Sequence, residues 1–282
     1  MSNLLRAGFA RLFRDKVFWI CNAVLFLLGV YISFDRYLAT VMYDSIRESA
    51  DNIVFVFLGY GGVFYAIFNA LFIGREYSDG AIRNKFIIGH TRVSIYISNL
   101  IVAAVGNIMI TLAYTLPAAA ISIPALGWFE KPTEFIVVTF IALLILSVAY
   151  AAVFTALSLL NTNKAVNAVV CMSMALLLLV AAVAVRDALG EPESFYYGYT
   201  AEIDDNGEVH EISASEMPNP YYIGGMKRTV CKAFIDVSPG GQSMQLTMFE
   251  TDAPEILALY SVGITAAATA IGLVLFKRKD IK

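Results

Sequence analysis

The stretch FIVVTFIALLILSVAYAAVFTALSLL, residues 135–160, runs for 26 residues without a charged side chain. A helix needs about 20 apolar residues to cross the roughly 30 Å of hydrocarbon in a bilayer. The rest of the chain contains five more stretches of this kind, and the hydrophobic share of the whole sequence is 59%. The predicted spans are residues 17–34, 53–73, 95–121, 135–160, 165–185 and 256–276.

These segments are predicted to be helices and not strands of a barrel. Backbone polar groups in a bilayer must be hydrogen-bonded within the protein, which leaves helices and closed barrels as spanning structures. Barrel strands are about 10 residues long and alternate strictly between apolar and polar side chains. The six segments lack that alternation. We therefore predict an all-α integral membrane protein with six transmembrane helices, in a single membrane domain over residues 1–282.

The distribution of charge predicts the orientation of the chain. With six spans, one side of the membrane receives a set of basic residues: Arg6, Arg11, Arg14, Lys16, Arg75, Arg83, Lys85, Arg92, Lys164, Lys277, Arg278, Lys279 and Lys282. The other side is acidic and includes thirteen carboxylates between Asp187 and Glu255. Because basic residues concentrate in cytoplasmic loops, we expect both termini to be cytoplasmic.

The N-terminal residues carry an amphipathic pattern. Leu5, Phe9, Leu12 and Phe13 fall on one helical face, and the basic residues of the tail fall elsewhere. This pattern is typical of a helix that lies on the inner membrane surface. The alternative is a basic tail without regular structure.

The gap before the last span, residues 186–255, is too long to be a passive connection. Residues 195–203 and 208–212 carry strand patterns on either side of the turn signal DDNG at 204–207, which predicts a β-hairpin. Apolar residues at helical spacing predict an amphipathic helix over 225–236. The segment is thus expected to be a small extracellular α+β insertion before the last helix.

The sequence PGG at 239–241 is expected to end that helix. Two roles for the whole insertion stay open at this stage. It could act as a gate or lid over an outer opening, or as a packing cap that stabilises a dimer.

The chain shows no pattern of catalytic or metal-binding residues. It has no GxxxxGK[ST] phosphate-binding loop, no HExxH pair and no GxSxG turn, and its two histidines, His90 and His210, are expected on opposite sides of the membrane. The three cysteines have no metal-ligand spacing. We therefore predict no catalytic residue, no metal and no cofactor bound by this chain. An enzyme embedded in the membrane is poorly supported.

Polar residues within the spans are few and uncharged. Ion-driven carriers usually keep ionisable side chains in the membrane, and none lies deep within these six segments. Energy for any active transport would then come from another polypeptide. Asn69, Asn107 and Asn167 are candidates to line a central pathway. Their other interpretation, which we favour, is hydrogen bonding between helices.

The polar gap GREYSDGAIRNKFIIGHTR, residues 74–92, is the most informative for function. Ser78 and Asp79 are expected to cap a short amphipathic helix that starts near Gly80. Such a helix can dock into a soluble partner, with Glu76 paired to a basic group on the partner or on a neighbouring span. The alternative is an anchor in the inner leaflet that uses the basic residues on acidic lipid.

Several motifs together carry a family resemblance. They are FIGREYSDGAIRNKFIIGHTRVSIYISNL at 72–100, DVSPGGQSMQL at 236–246 and the basic ending LFKRKDIK at 275–282. With six spans and inward termini, the chain resembles the permease subunits of bacterial ABC transporters, the type-2 permease family of exporters. The resemblance covers essentially the whole chain, and the loop that begins at Gly74 is its most specific part.

The resemblance implies a function and a set of partners. The loop 74–94 would contain the coupling helix, and residues 4–14 would match the interfacial elbow helix. Contacts to the ATPase subunit would come from Arg75, Glu76, Tyr77, Asp79, Arg83 and Lys85. Partners would be an ABC ATPase subunit that binds ATP and Mg, a second permease copy or paralogue, and membrane lipid, with no nucleic acid.

The implied location is a bacterial cell membrane, and the implied substrate is a small peptide, an antibiotic or another amphipathic molecule moved outward. A different function class stays open beside it: a membrane receptor or scaffold that binds a ligand with its extracellular loop.

Overall fold

The computed structural model describes residues 1–42, 49–203 and 209–279. The helices are α1 (Ser2–Leu12), α2 (Lys16–Met42), α3 (Asp51–Val54), α4 (Gly61–Ser78), α5 (Ala81–Ile87), α6 (Arg92–Leu126), α7 (Thr133–Leu160), α8 (Lys164–Gly190), α9 (Gly225–Val237), α10 (Pro239–Thr247) and α11 (Pro254–Arg278). A 3-10 helix, Val56–Tyr60, precedes α4. Strands β1 (Ser194–Ile203) and β2 (Val209–Pro218) pair antiparallel.

Among the described residues, six helical segments are long and apolar enough to cross a membrane. They are Lys16–Met42, Val56–Ser78, Arg92–Leu126, Thr133–Leu160, Lys164–Gly190 and Pro254–Arg278. Five of them extend beyond the predicted spans at one or both ends, because hydropathy detects only the apolar part of a helix; the second begins at Val56, after its predicted start, and ends later, at Ser78. The longest, α6, has 35 residues and is about 52 Å long at 1.5 Å per residue. It therefore projects beyond a hydrocarbon layer of about 30 Å.

Three of these segments form the centre of the bundle and three lie around it. More than half of the most apolar window is buried in Val56–Ser78, Arg92–Leu126 and Thr133–Leu160, against 28% in α2 and 17% in α8 and α11. The outer helices turn large apolar side chains outward, among them Leu27, Tyr31 and Leu177. Apolar surface of this extent on three helices fits a multi-pass membrane protein.

The second segment is not the continuous helix expected over 53–73. The chain forms α3, then the 3-10 helix, and only then α4. Glycines cluster at this break, and two of them make close contacts. A Cβ on Gly62 would come within 2.9 Å of the Tyr150 hydroxyl, and one on Gly59 within 3.1 Å of the Thr247 hydroxyl. The absence of side chains there lets α7 and α10 approach the chain, and glycine weakens the helix that would otherwise form.

The third segment continues through its two prolines. Pro117 and Pro124 lie inside α6, which ends only at Gly127, where φ is +101°. Gly29 of α2 packs against this part of α6, and a Cβ there would meet the Tyr114 carbonyl oxygen at 2.7 Å. Close packing against α2 therefore supports α6 where proline removes backbone hydrogen bonds.

The six long segments give the bundle two different ends. The basic end holds α1, α5, the turn between α7 and α8, and the last residues of α11, which are joined by contacts such as Lys279 with Leu159. The acidic end holds α3, the α6–α7 turn, the β-hairpin, α9 and α10. Contacts such as Asp51 with the backbone N–H of Glu130 connect the elements there.

The insertion between α8 and α11 confirms the predicted hairpin strands and the predicted helix. The β pairing runs from Ser194 opposite Pro218 to Ile203 opposite Val209, with two irregularities in register. The predicted turn at 204–207 lies outside the described residues. Helix α9 covers the predicted 225–236 and one further residue.

As expected, α9 ends just before PGG, at Val237, but a further helix that the sequence did not predict begins at Pro239. The Ser238 hydroxyl accepts a hydrogen bond from the Gly241 N–H, and Pro239 occupies the first turn of a new helix, α10. Proline is well suited to this position because its missing N–H would have no helical partner there. Helix α10 is almost fully buried among the long helices.

Candidate partner-docking site

Helix α5 is the short helix predicted in the polar gap at the basic end. Its predicted caps are wrong, because neither Ser78 nor Asp79 caps it. The Ser78 hydroxyl donates to the carbonyl oxygen of Arg75 at 3.1 Å, and Gly80 precedes α5 with φ of +68°. That left-handed conformation, which glycine adopts readily, turns the chain sharply between α4 and α5.

A buried carboxylate holds α5 against the bundle. Glu76 of α4 is 2% exposed and forms ion pairs with Arg11 of α1 and Lys85 of α5. Its other oxygen accepts a hydrogen bond of 2.8 Å from the side-chain amide of Asn99 in α6. We call these four side chains the Glu76 junction. Because a buried carboxylate needs several partners to offset its desolvation, the junction ties α1, α4, α5 and α6 together.

A second ion pair lies beside the junction. Arg75 pairs with Asp15, which is 5% exposed in the turn between α1 and α2. The other oxygen of Asp15 accepts hydrogen bonds from the N–H groups of Val17 at 2.7 Å and Phe18 at 3.1 Å. Asp15 thus caps α2 and at the same time connects α2 to α4.

The last residues of α11 are attached to the same end. The Tyr77 hydroxyl donates to the carbonyl oxygen of Leu159, and the Lys279 ammonium donates to that oxygen at 2.9 Å and to the Tyr77 oxygen at 3.0 Å. Arg92 donates to the carbonyl oxygen of Phe276 at 2.8 Å. Burial lowers the pKa of Lys279 to about 8. These contacts connect α4, α6, α7 and α11.

The outward side of α5 is a small apolar tip with polar neighbours. Ile87 and Ile88 are each 75% exposed, and Asp79, Arg83 and Asn84 are also exposed. We call these five residues the α5 surface. On the opposite side of the helix, Ile82 is 1% exposed and fixes α5 to the core. Exposed isoleucines on a firmly anchored helix are an expected feature of a contact surface.

The structure places the six predicted coupling residues at different depths. Asp79 and Arg83 lie on the α5 surface, whereas Arg75, Tyr77 and Lys85 are half-buried. Glu76 pairs within its own chain, but with basic groups on the short helices α1 and α5 and not on a neighbouring span as expected. Ile88 was missed by the sequence reasoning. Two adjacent isoleucines beside a glycine at a helix end are a signal that could have indicated it.

The three buried asparagines make hydrogen bonds between helices. The Asn69 amide donates to the Asn107 oxygen at 2.9 Å, and the Asn107 amide donates to the Ser147 carbonyl oxygen at 3.0 Å. Asn167 donates to the carbonyl oxygen of Ala70 at 2.9 Å. All three are fully buried. This is the interpretation that the sequence favoured, and a role along a pathway stays a prediction.

The described part of the chain contains no group of three or more His, Cys, Asp or Glu side chains that could hold a metal ion. The chain matches no protein-family model and no curated protein.

Proposed function

We propose that this chain is the membrane-spanning permease subunit of an ATP-driven ABC transporter, coupled to a separate ATPase subunit at the α5 surface. The observation that carries the proposal is an exposed apolar tip, Ile87 and Ile88, on a helix anchored through a buried carboxylate. Six membrane-length helices and the resemblance at residues 72–100 support it further.

The α5 surface has the composition of a small docking site. Protein contact sites commonly combine an apolar centre with a polar rim. Here the two isoleucines form the centre, and Asp79, Arg83 and Asn84 form a rim with charges of both signs. Asp79, in the turn before α5, adds a negative charge to this surface. Acidic lipid attracts basic residues and would repel this carboxylate, which favours a protein partner.

The Glu76 junction gives a direct route from the partner to the bundle. Lys85 belongs to α5, and its ion pair with Glu76 connects it to α4 and, through Asn99, to α6. A displacement of α5 would therefore act on two of the three central helices. Packed elements that share a polar network transmit displacement between sites in this way.

The proposal includes an orientation and a direction of transport. Basic residues concentrate at the end that holds α1, α5 and the end of α11, which favours a cytoplasmic basic end and cytoplasmic termini in a bacterial cell membrane. The partner binds ATP and Mg, and this chain pairs with a second permease. The resemblance favours export of a small peptide, an antibiotic or another amphipathic substrate.

Affinity purification of the tagged chain from membranes tests this function. The wild-type chain is expected to recover an ATPase with a GxxxxGK[ST] motif in roughly equal amount. The double variant Ile87→Asp/Ile88→Asp should lose it, because two charges would enter the apolar centre of the contact. A matched control is Met226→Asp, which changes an 85% exposed side chain at the opposite end.

If both Ile87→Asp/Ile88→Asp and Met226→Asp recover the ATPase, the ATPase binds at another surface of the chain. If none of the proteins recovers an ATPase although each remains folded, the transporter proposal is wrong and the receptor alternative gains support.

A further inference from the structure

A cavity of about 650 Å³ lies at the acidic end, between the end of α8, helix α9 and helix α10. Its charged lining comes from the end of α8 and from α9. These residues are Arg186, Asp187, Glu191, Arg228, Lys232 and Asp236, and Glu250, which follows α10, adds a further carboxylate to the lining. The volume is in the range of preformed ligand sites, and the site lies at the opposite end of the molecule from the α5 surface.

Contacts between its walls hold the cavity open. The guanidinium of Arg228 in α9 donates to the carbonyl oxygen of Leu189 in α8 at 3.0 Å. Arg186 of α8 forms an ion pair with Glu250, which follows α10. Both contacts join separate elements that line the cavity.

The walls combine charges that are only partly matched. Within the described residues, Arg228 donates to carbonyl oxygens of Leu189 and Ile223 and lies over the Tyr222 ring, and it pairs with no carboxylate. Among the side chains that the structure describes, which exclude those of residues 52 and 197–215, Lys232 has no hydrogen-bond or ion-pair partner. The carboxylates of Asp187 and Asp236 lie on the same lining, where one oxygen of Asp236 accepts a hydrogen bond of 2.9 Å from the side-chain amide of Gln245. A ligand with an anionic group and an ammonium group would satisfy both sets.

The surface of α8 leads from the bundle to this cavity. Val169, Leu176 and Val180 are 60%, 50% and 64% exposed. Asp187 lies 18 residues after Val169 along α8. At 3.6 residues per turn, all four fall within about 20° of one direction around the helix. An exposed apolar stripe thus ends at a carboxylate of the cavity wall.

We infer that this cavity binds the headgroup of a phosphatidylethanolamine, whose acyl chains lie along the exposed stripe of α8. The phosphate lies against Lys232 and Arg228, and the ammonium lies against Asp187 and Asp236. The primary ammonium of phosphatidylethanolamine has three hydrogens to donate to carboxylates. Phosphatidylglycerol, an anionic lipid, has no ammonium group. The inference rests on the membrane location in the proposed function, and it does not depend on the ATPase.

Native mass spectrometry of delipidated protein tests the site. Phosphatidylethanolamine and phosphatidylglycerol with identical acyl chains are added separately to the wild-type chain, to Lys232→Glu and to Lys227→Glu. Lys227 is exposed on the same helix and is absent from the cavity lining, so it is a matched control. We expect the wild type to prefer phosphatidylethanolamine, and Lys232→Glu to bind it about tenfold more weakly, because a charge-assisted contact becomes a repulsion. Lys227→Glu should bind as the wild type does.

A second variant, Asp187→Asn, is expected to lose the preference for phosphatidylethanolamine over phosphatidylglycerol. Equal binding of the two lipids by the wild type overturns the proposal, as does equal weakening by Lys232→Glu and Lys227→Glu. Competition by free glycerophosphoethanolamine as strong as that by the lipid would point to a soluble ligand and overturn the lipid assignment. The assay contains no ATPase. A failure of the lipid proposal can therefore be distinguished from a failure of the proposed transport function.

Discussion

The two ends of the bundle use charged residues in opposite ways. At the basic end, Glu76 and Asp15 are buried and each pairs with a cation from another helix. At the acidic end, Arg186 and Glu250 pair with about a third of each side chain exposed, beside an open cavity. A buried charge is stable only with all its partners, whereas an exposed one is solvated. The basic end is therefore expected to be a rigid connection and the acidic end a surface that accepts a ligand.

Removing the charge of Glu76 should have the largest effect. Glu76→Gln leaves Arg11 and Lys85 without their buried partner and should lower the free energy of unfolding by about 3–5 kcal/mol. The measurement is thermal or denaturant unfolding in detergent. Glu193→Gln removes an exposed carboxylate at the acidic end and should change stability by less than about 0.5 kcal/mol. If Glu76→Gln and Glu193→Gln lower the free energy of unfolding by similar amounts, the two ends do not differ in how they use charged residues.

A methyl group on Gly241 should also destabilise the protein. Helix α10 lies at the acidic end but is buried, and a Cβ on Gly241 would come within 2.2 Å of the Ile235 carbonyl oxygen. Gly241→Ala should cost about 1–3 kcal/mol through overpacking. Gly263→Ala in α11 is the control, because no atom lies within 4 Å of the added carbon, and it should stabilise the helix by about 0.5–1 kcal/mol. A neutral Gly241→Ala would mean that α10 packs less closely against Ile235 than the structure indicates.

The pH dependence at the basic end should show the burial of Lys279. Its pKa is lowered to about 8 from 10.5, so between these pH values the unfolded chain binds this proton and the folded chain has released it. The contribution of Lys279 to the free energy of unfolding therefore rises with pH between about 8 and 10.5. We expect the stability difference between the wild type and Lys279→Met to shift in favour of the wild type from pH 8 to 10. Trace acetylation of the Lys279 amine should show half-maximal reactivity near pH 8, and a midpoint near 10.5 would contradict its burial.

The ion pair at the acidic end should contribute least. Arg186 and Glu250 are 34% and 36% exposed, and pairs this exposed are worth about 0–1 kcal/mol. Arg186→Gln should therefore lower the free energy of unfolding by no more than about 1 kcal/mol, and the loss should shrink further in high salt. A loss as large as that for Glu76→Gln would show that this exposed pair stabilises the protein as much as a buried ion pair does.

Much of the fold follows from patterns that are local in sequence. Hydropathy locates the six long helices, and the period of the apolar residues locates the hairpin strands and α9. Helix α10 was missed although its signal was present. Pro239 is a stop signal for α9, and Ser238 followed by Pro239 is also the pattern of a helix start.

Other features depend on residues far apart in the chain. Glu76 meets Arg11 from α1 and Asn99, 23 residues further along, and no local pattern tells whether such a carboxylate pairs within the chain or with a partner. The break before α4 has a similar cause, because its glycines fit against Tyr150 and Thr247 from other helices. Exposure of Ile87 and Ile88 likewise depends on how Ile82 and Lys85 fix the direction of α5.

The central claim is that the α5 surface contacts an ATPase, and site-specific photocrosslinking tests it most directly. A photoreactive amino acid replaces Ile88 in one protein and Met226 in another, each in the membranes of the cells that naturally produce the chain. We expect position 88 to crosslink to a protein with a GxxxxGK[ST] motif and position 226 not to do so. Crosslinking of position 88 to lipid alone, or of position 226 to that ATPase, would contradict it.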